Sequence, residues 1–222
     1  MVPPPRSPGS PRPPLHFSNV KPALDRALAA PATNGAPSAD ARKGLSRWLE
    51  LMCEWNQRID LTAARSEGEL VDLMLADALV LSSHIAPGTR VIDVGTGAGA
   101  PGLALALLRP DLALTLCEPL TKRASFLRTV IGSVGRTDVT LIAKRGEELP
   151  AGSWDEAMAR ATLPPEEWLA LGTKLVKPGG GVWVLLASGE APSHPQAAVT
   201  SELRYDWPET KVARRAIRYA TS

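Results

Sequence analysis

Arg90-Val-Ile-Asp-Val-Gly-Thr-Gly-Ala-Gly-Ala-Pro-Gly102 decides how the rest of the chain is read, because a short apolar run meets four glycines at near-alternating positions with an acid just ahead of them. Val91, Ile92 and Val94 between turn signals predict a strand covered on both faces, as in a parallel sheet flanked by helices. Asp93 interrupts that run. A carboxylate inside a central strand is costly unless it meets donors; the donors expected are the N–H groups of the glycine turn and a cationic ligand. Gly95, Gly97 and Gly99 carry no Cβ and tolerate positive φ, so the backbone can bend sharply and let a ligand lie against it. Leu103-Ala-Leu-Ala-Leu-Leu108 then begins a helix whose positive end faces that ligand.

Two cofactors compete for such a turn. Gly97-Ala-Gly-Ala-Pro-Gly102 satisfies the dinucleotide pattern G-x-G-x-x-G, and Glu118 lies 19 residues past Gly99, about where a ribose-binding acid belongs. Asp93-Val-Gly-Thr-Gly-Ala-Gly99 also satisfies D-x-G-x-G-x-G, which resembles the first motif of Rossmann-like S-adenosylmethionine (SAM) methyltransferases. The acid tips the choice toward SAM, whose ammonium and sulfonium tolerate a carboxylate. A pyrophosphate about 5 Å from it would be repelled by roughly 1 kcal/mol even at high dielectric.

At 222 residues, 44% hydrophobic and 22% charged, the chain is long enough for one domain with a substantial core. Residues 1–40 carry a net charge of +2, which leaves 21 basic and 21 acidic groups in the remainder. A neutral folded part excludes wholesale electrostatic coating of nucleic acid and leaves local basic patches. Cys53 and Cys117 fall in helical and strand patterns and read as buried apolar residues with no disulfide. His16, His84 and His194 are scattered without metal-ligand spacing, so no metal is expected. No run of 18 apolar residues occurs, so no membrane is expected and the cytoplasm is the expected location.

In chain order, residues 1–37 read as a disordered proline-rich tail, since residues 1–40 hold 10 of the 21 prolines; a short helix around Ala23–Ala29 is allowed within it. Residues 38–222 read as the folded domain, 38–84 a helical extension and 85–222 the Rossmann-like core. Leu45, Trp48, Leu49, Met52, Trp55 and Ile59 recur at helical steps, capped by Ser38 or Asp40. Ser66-Glu-Gly-Glu69 is a capping box opening a second helix through Leu79, on whose apolar face Asp77 falls. Such an acid is either hydrogen-bonded to a neighbour or lines the ligand cleft.

Beyond the turn the chain alternates: Leu112–Glu118 strand, Thr121–Ser133 helix, Val139–Ala143 strand, Trp154–Ala159 strand, Glu166–Leu175 helix. Pro178-Gly-Gly-Gly181 turns the chain into strand Val182–Ala187, and Leu203–Trp207 and Ala213–Ala220 form a closing hairpin. The alternation predicts an α/β fold: a doubly wound, mostly parallel sheet with a closing antiparallel hairpin. Ligands bind at the carboxyl ends of such strands, which puts Glu118 where it can accept both ribose hydroxyls and Arg160 where it can bind a carboxylate or phosphate bidentately.

Several segments together resemble the RsmG (GidB) family, bacterial small-subunit rRNA methyltransferases that modify a guanine at N7. They are Trp55-Asn-Gln-Arg-Ile-Asp-Leu-Thr-Ala63, the glycine turn, Leu116-Cys-Glu-Pro-Leu-Thr-Lys-Arg-Ala-Ser-Phe-Leu127, Arg145-Gly-Glu-Glu148 and Ala159-Arg-Ala161. The resemblance implies a SAM-dependent methyltransferase acting on 16S rRNA or the 30S subunit, and a monomer is expected. Carried over by position, its cofactor contacts fall on Gly95, Ala100, Gly146, Glu147 and Arg160, and Glu118 matches the acid of the second strand. The family's His-x-x-Asp-Ser element survives here only as Asp77 within Met74-Leu-Ala-Asp-Ala78. Asp60 replaces an Asn, Ala100 stands where a bulky residue is usual, and Ser188 where a Lys-Gly pair is usual. Guanine N7 offers a free lone pair, so transfer needs positioning rather than a general base, and no residue is assigned a catalytic role. Asp77, Lys122 and Arg123 are candidate substrate residues, with Lys144, Arg145, Arg214 and Arg215 as further basic groups. Two rival readings remain: a SAM methyltransferase of a small molecule, and a non-catalytic SAM-binding scaffold.

Overall fold

The computed structural model describes residues 15–29 and 36–222. Its centre is a seven-stranded sheet of order β3-β2-β1-β4-β5-β7-β6, built from β1 (Arg90–Val94), β2 (Ala113–Cys117), β3 (Thr140–Ile142), β4 (Trp154–Ala159), β5 (Val176–Leu186), β6 (Ala197–Asp206) and β7 (Ala213–Thr221). The first five strands run parallel, and β7 joins β5 antiparallel with β6 on the outer edge. This is the α/β, doubly wound architecture with a closing hairpin. The order reverses between β1 and β4, so the crevice of the fold opens at their carboxyl ends.

Alternate residues of the strands feed two cores, one on each face. Val91, Leu114, Leu116, Met158 and Trp183 join a core shared with α1 (Phe17–Ala29), α2 (Ala39–Asn56), α5 (Gly102–Leu108) and α6 (Thr121–Ser133). Ile92, Val94, Ala157, Ala159, Val182 and Val184 join the opposite core, with α7 (Pro165–Leu175). Both faces of β1 are therefore covered. No helix among the described residues is long and apolar enough to cross a membrane.

Three expectations need correction. Residues 1–37 were assigned to a disordered tail, yet residues 17–29 form a full helix with Val20, Ala23, Leu24, Ala27 and Leu28 buried. Helically spaced apolar residues are diluted by prolines on either side, and an average over the segment hides them. Residues 1–14 and 30–35 lie outside the described residues, and with them the rest of that assignment. Pro178-Gly-Gly-Gly181 does not precede the fifth strand but lies within it. Pairing with β4 jumps from Trp154 opposite Val176 to Glu156 opposite Gly181, so the extra residues form a bulge.

The second helix, finally, is not uniform. It runs as α3 (Glu67–Val71), a π-helical turn Asp72–Ala76 and α4 (Asp77–Leu81). Its start is the capping site read from the sequence: Ser66 Oγ accepts from the Glu69 N–H at 3.2 Å, and Glu69 returns a bond to the Arg65 N–H at 2.9 Å. The π turn, with its i→i+5 pattern, brings Asp72 and Asp77 toward the same neighbour, the β6–β7 hairpin.

Candidate functional site

Beyond β1 the chain folds over the end of β2. The Gly95 and Thr96 N–H groups both donate to the Cys117 carbonyl, at 2.8 and 3.1 Å. Glu118 follows on β2 and is almost fully buried. Its Oε2 accepts from the Gly97 N–H at 3.0 Å and its Oε1 from the Leu120 N–H at 2.8 Å. The acid thus fixes the glycine turn, and each oxygen keeps a lone pair for a further donor.

The glycines divide by what stands in front of them. Gly97 has φ +62° and open space where a Cβ would project. Gly99 has φ +112°, but its Cβ would lie 3.0 Å from Leu103 and 3.1 Å from Trp48, whose indole N–H donates to the Ala98 carbonyl at 3.1 Å. A Cβ on Gly95, at φ +69°, would collide with Thr162. Of the three glycines predicted to face a ligand, only Gly97 does so through its Cα; Gly95 and Gly99 are required by protein packing. Ala100 is buried in the core against the helical layer.

Asp93 meets one of the donors expected of it. It has no exposed surface and takes one bond, from the N–H of Gly102, the last glycine of the turn, at 2.8 Å at the start of α5. Gly102 must be glycine because a Cβ there would sit 2.6 Å from that of Asp93. Burial pushes the Asp93 carboxyl up to about 6 from 3.8, with Glu118 adding to the rise. The Gly102 N–H and the Arg160 charge hold it back, as does the Thr96 hydroxyl, which lies close without reaching hydrogen-bond geometry. Asp93 Oδ1 and Thr96 Oγ1 are both buried without a partner among the described residues. The Thr96 hydroxyl is placed beside the Asp93 carboxyl, so the two polar groups beneath the glycine turn face one another.

Gly146 is buried against Val94 and Glu147 is exposed, both in a short 3₁₀ turn (Gly146–Glu148) after β3. Arg160, at the end of β4, does not stand free in the cleft. Its Nη1 donates to the Leu73 carbonyl at 2.5 Å and to Asp77 Oδ2 at 3.0 Å. Asp77 Oδ1 accepts in turn from the Tyr205 hydroxyl at 2.7 Å and the Trp207 indole N–H at 3.3 Å. Burial and the Asp77 carboxylate raise the Tyr205 phenol far above its ordinary value, so it serves as a fixed neutral donor. One buried carboxylate therefore ties the π-containing helix, β4 and the hairpin together. Arg160, Tyr205 and Trp207 lie 83, 128 and 130 residues from Asp77 in the chain.

These groups line a cavity of about 330 Å³ at the carboxyl ends of β4 and β5, with Thr162, Trp168 and Arg214 among its other walls. Thr162 Oγ1 donates to the Val94 carbonyl at 3.1 Å, so the cavity and the glycine turn share a wall. Ala161, between Arg160 and Thr162, has φ +53°, a conformation costly for any residue with a Cβ and one that clusters at functional sites. Lys122 and Arg123 are not brought to this cavity; they line a separate depression with Arg58, Ile59 and Leu120. Sequence reasoning missed Tyr205, Trp207 and Thr162, whose only local signal was their place at or beside strand ends. It also missed Asp72, whose carboxylate accepts from the Glu209 N–H, the Thr210 N–H and the Thr210 hydroxyl at 3.0, 2.7 and 2.6 Å. Among the described residues no group of three His, Cys, Asp or Glu could hold a metal ion.

Residues 41–204 match the family described as rRNA small subunit methyltransferase G (GidB). Proteins named ribosomal RNA small subunit methyltransferase G are similar along most of the chain. The one from an Anaeromyxobacter species is 34% identical over 168 residues, 74% of this chain and 77% of that protein. The one from Xanthomonas euvesicatoria is 36% identical over 183 residues, 82% of each. Among solved structures, the 1,6-didemethyltoxoflavin-N1-methyltransferase of Burkholderia thailandensis, with S-adenosylhomocysteine bound, superposes with a TM-score of 0.57 at 13% identity, covering 86% of this chain and 94% of that one. TrmN from Thermus thermophilus superposes with a TM-score of 0.52 at 22% identity, covering 69% and 48%. At these identities the two structures establish the fold alone.

Proposed function

This chain belongs to the rRNA small subunit methyltransferase G family, and from that membership we infer that it transfers the methyl group of SAM to N7 of a guanine in 16S rRNA. The observation that carries this reading is the match over residues 41–204, which spans the glycine turn, Glu118, Arg160 and Asp77. The residues fit the cofactor. Open space faces Gly97, and Glu118 has acceptor capacity for ribose hydroxyls. Gly95, Gly97, Glu118, Gly146, Glu147 and Arg160 would surround it, with Gly99, Ala100 and Asp93 supporting the turn from the protein side.

Bound SAM supplies an electrophilic methyl on a sulfonium. Transfer to N7 would exchange the methyl–sulfur bond for an N7–methyl bond and move the positive charge from sulfur to the purine. No proton leaves N7, so the protein need supply only orientation and an environment that tolerates the moving charge. That agrees with a site whose lining carboxylate, Asp77, is already engaged by the Arg160, Tyr205 and Trp207 donors. We assign the reaction to the cytoplasm, where small subunits are made.

The test is direct. Purified protein, labelled SAM and small subunits from a strain lacking the gene should yield one 7-methylguanosine in 16S rRNA, located by nuclease digestion and mass spectrometry. Absence of label in 16S rRNA, or a methyl on another atom, overturns the reading.

A further inference from the structure

The cavity beside Arg160 has a guarded mouth. Trp207 is nearly buried, its indole edge held by Asp77 and its backbone N–H by the Val212 carbonyl at 3.0 Å. Over its ring lies the guanidinium of Arg214, with Cζ 3.9 Å from the ring centroid. Three arginines of the hairpin border this region, and two are already engaged. Arg204 and Arg215 both pair with Glu202, at 2.7 and 3.0 Å, and Arg215 also donates to the Gly189 carbonyl at 2.9 Å. Arg214 donates only to the adjacent Ala213 carbonyl at 3.1 Å, and among the described residues no carboxylate pairs with it. It borders both the deep cavity and a shallower depression on the outer side of the hairpin.

We propose that Arg214, pressed on Trp207, grips the target nucleotide of the RNA at the cavity mouth, and that Asp77 is the positioning residue that holds this platform in place. The proposal rests on the rRNA methyltransferase reading above. A guanidinium backed by an indole keeps one planar face for a base and directs its edge N–H groups toward a phosphate. A nucleotide drawn out of an RNA loop loses its stacking neighbours, and proteins replace them with aromatic rings or arginine planes. Of the basic groups named from the sequence, Arg214 alone combines an unpaired charge, a flat support and a position on the wall shared with Arg160. From that mouth the cavity leads past Thr162 toward the glycine turn. Asp77 has little capacity left to read the base itself. Three donors already occupy a carboxylate with about four acceptor positions, so its role is to fix Trp207, Tyr205 and Arg160.

Arg214→Ala and Arg214→Met separate capture from folding, because the methionine still covers the indole. Steady-state methylation of small subunits should show KM for the subunit raised about tenfold or more in both variants, the scale of one lost stacking contact. SAM affinity by calorimetry and the melting temperature of Arg214→Met should match the wild type. A KM within twofold of wild type, or a fall in kcat alone, overturns the proposal while leaving the methyltransferase reading intact. If the wild-type protein itself transfers no methyl to 16S rRNA, both fall together.

Discussion

At the scale of single residues, the glycine turn separates ligand-facing from protein-facing positions. Gly97→Ala and Gly99→Ala both place a Cβ on a positive-φ backbone, so each carries a conformational cost of about 1–2 kcal/mol. Only Gly99→Ala also drives its Cβ to 3.0–3.1 Å from Leu103 and Trp48. Thermal melting should therefore fall further for Gly99→Ala, while calorimetric SAM affinity should fall at least tenfold for Gly97→Ala. The reverse ranking would mean that the ligand does not lie against Gly97. Asp93 makes a pH prediction. Its carboxyl is raised to about 6 in the folded protein against 3.8 ordinarily, so the folded state binds that proton more tightly. The stabilisation is complete below about pH 4 and is lost as pH rises through about 6. Asp93→Asn keeps an acceptor for the Gly102 N–H and carries no charge. Relative to wild type it should gain melting temperature from pH 4.5 to pH 7.5; a constant difference across that range refutes the buried, raised carboxyl.

At the scale of elements, the π turn is what the site is built on. In a continuous α-helix positions five apart diverge; the widened turn lets Asp72 and Asp77 both reach the β6–β7 hairpin. The apolar period made Asp77 legible as an inward acid, but nothing local named its partners, because Arg160, Tyr205 and Trp207 come from β4 and the hairpin. For the same reason Arg160 read as a free strand-end cation. Asp77→Asn should lower the melting temperature. Replacing a fully bonded carboxylate turns an amide N–H₂ or a weaker acceptor toward Arg160, at a cost of about 1–3 kcal/mol. Asp72→Asn should cost a similar amount. The two should part in methyl transfer: per folded molecule, Asp77→Asn should lose activity on small subunits, since Asp77 lines the cavity. Asp72→Asn should retain most of it. Equal losses in both would mean that the hairpin as a whole, not the Asp77 cluster, governs activity.

At the scale of the molecule, the alternation of strands and helices in the parallel part of the sheet was legible because β1, β2 and β5 keep apolar runs bounded by turn residues. The bulge in β5 was not, since Pro178-Gly-Gly-Gly181 carries turn chemistry that the pairing with β4 overrides. Composition misled most at the N-terminus. A proline-rich stretch reads as a disordered tail, yet α1 buries Val20, Ala23, Leu24, Ala27 and Leu28 against the helical layer. It is also fastened at its polar face, by Arg26 paired to Glu209 on the hairpin turn and Asn19 Nδ2 donating to Glu67 Oε1 at 3.4 Å. The helix therefore braces both the start of the π-containing helix and the turn that Asp72 holds. Leu24→Ala should cost about 2–5 kcal/mol, the range for a fully buried leucine, which in a domain of this size lowers the melting temperature by roughly 5–15 °C. Removing residues 1–36 should cost at least as much and expose apolar surface of α2 and α3, detectable as increased dye binding and self-association. Arg26→Ala, which takes an exposed guanidinium from the nearly buried Glu209 carboxylate, should lower the melting temperature far less than the truncation. A truncation that melts within a few degrees of the full chain would show that the core closes without α1, whatever its packing in the intact protein.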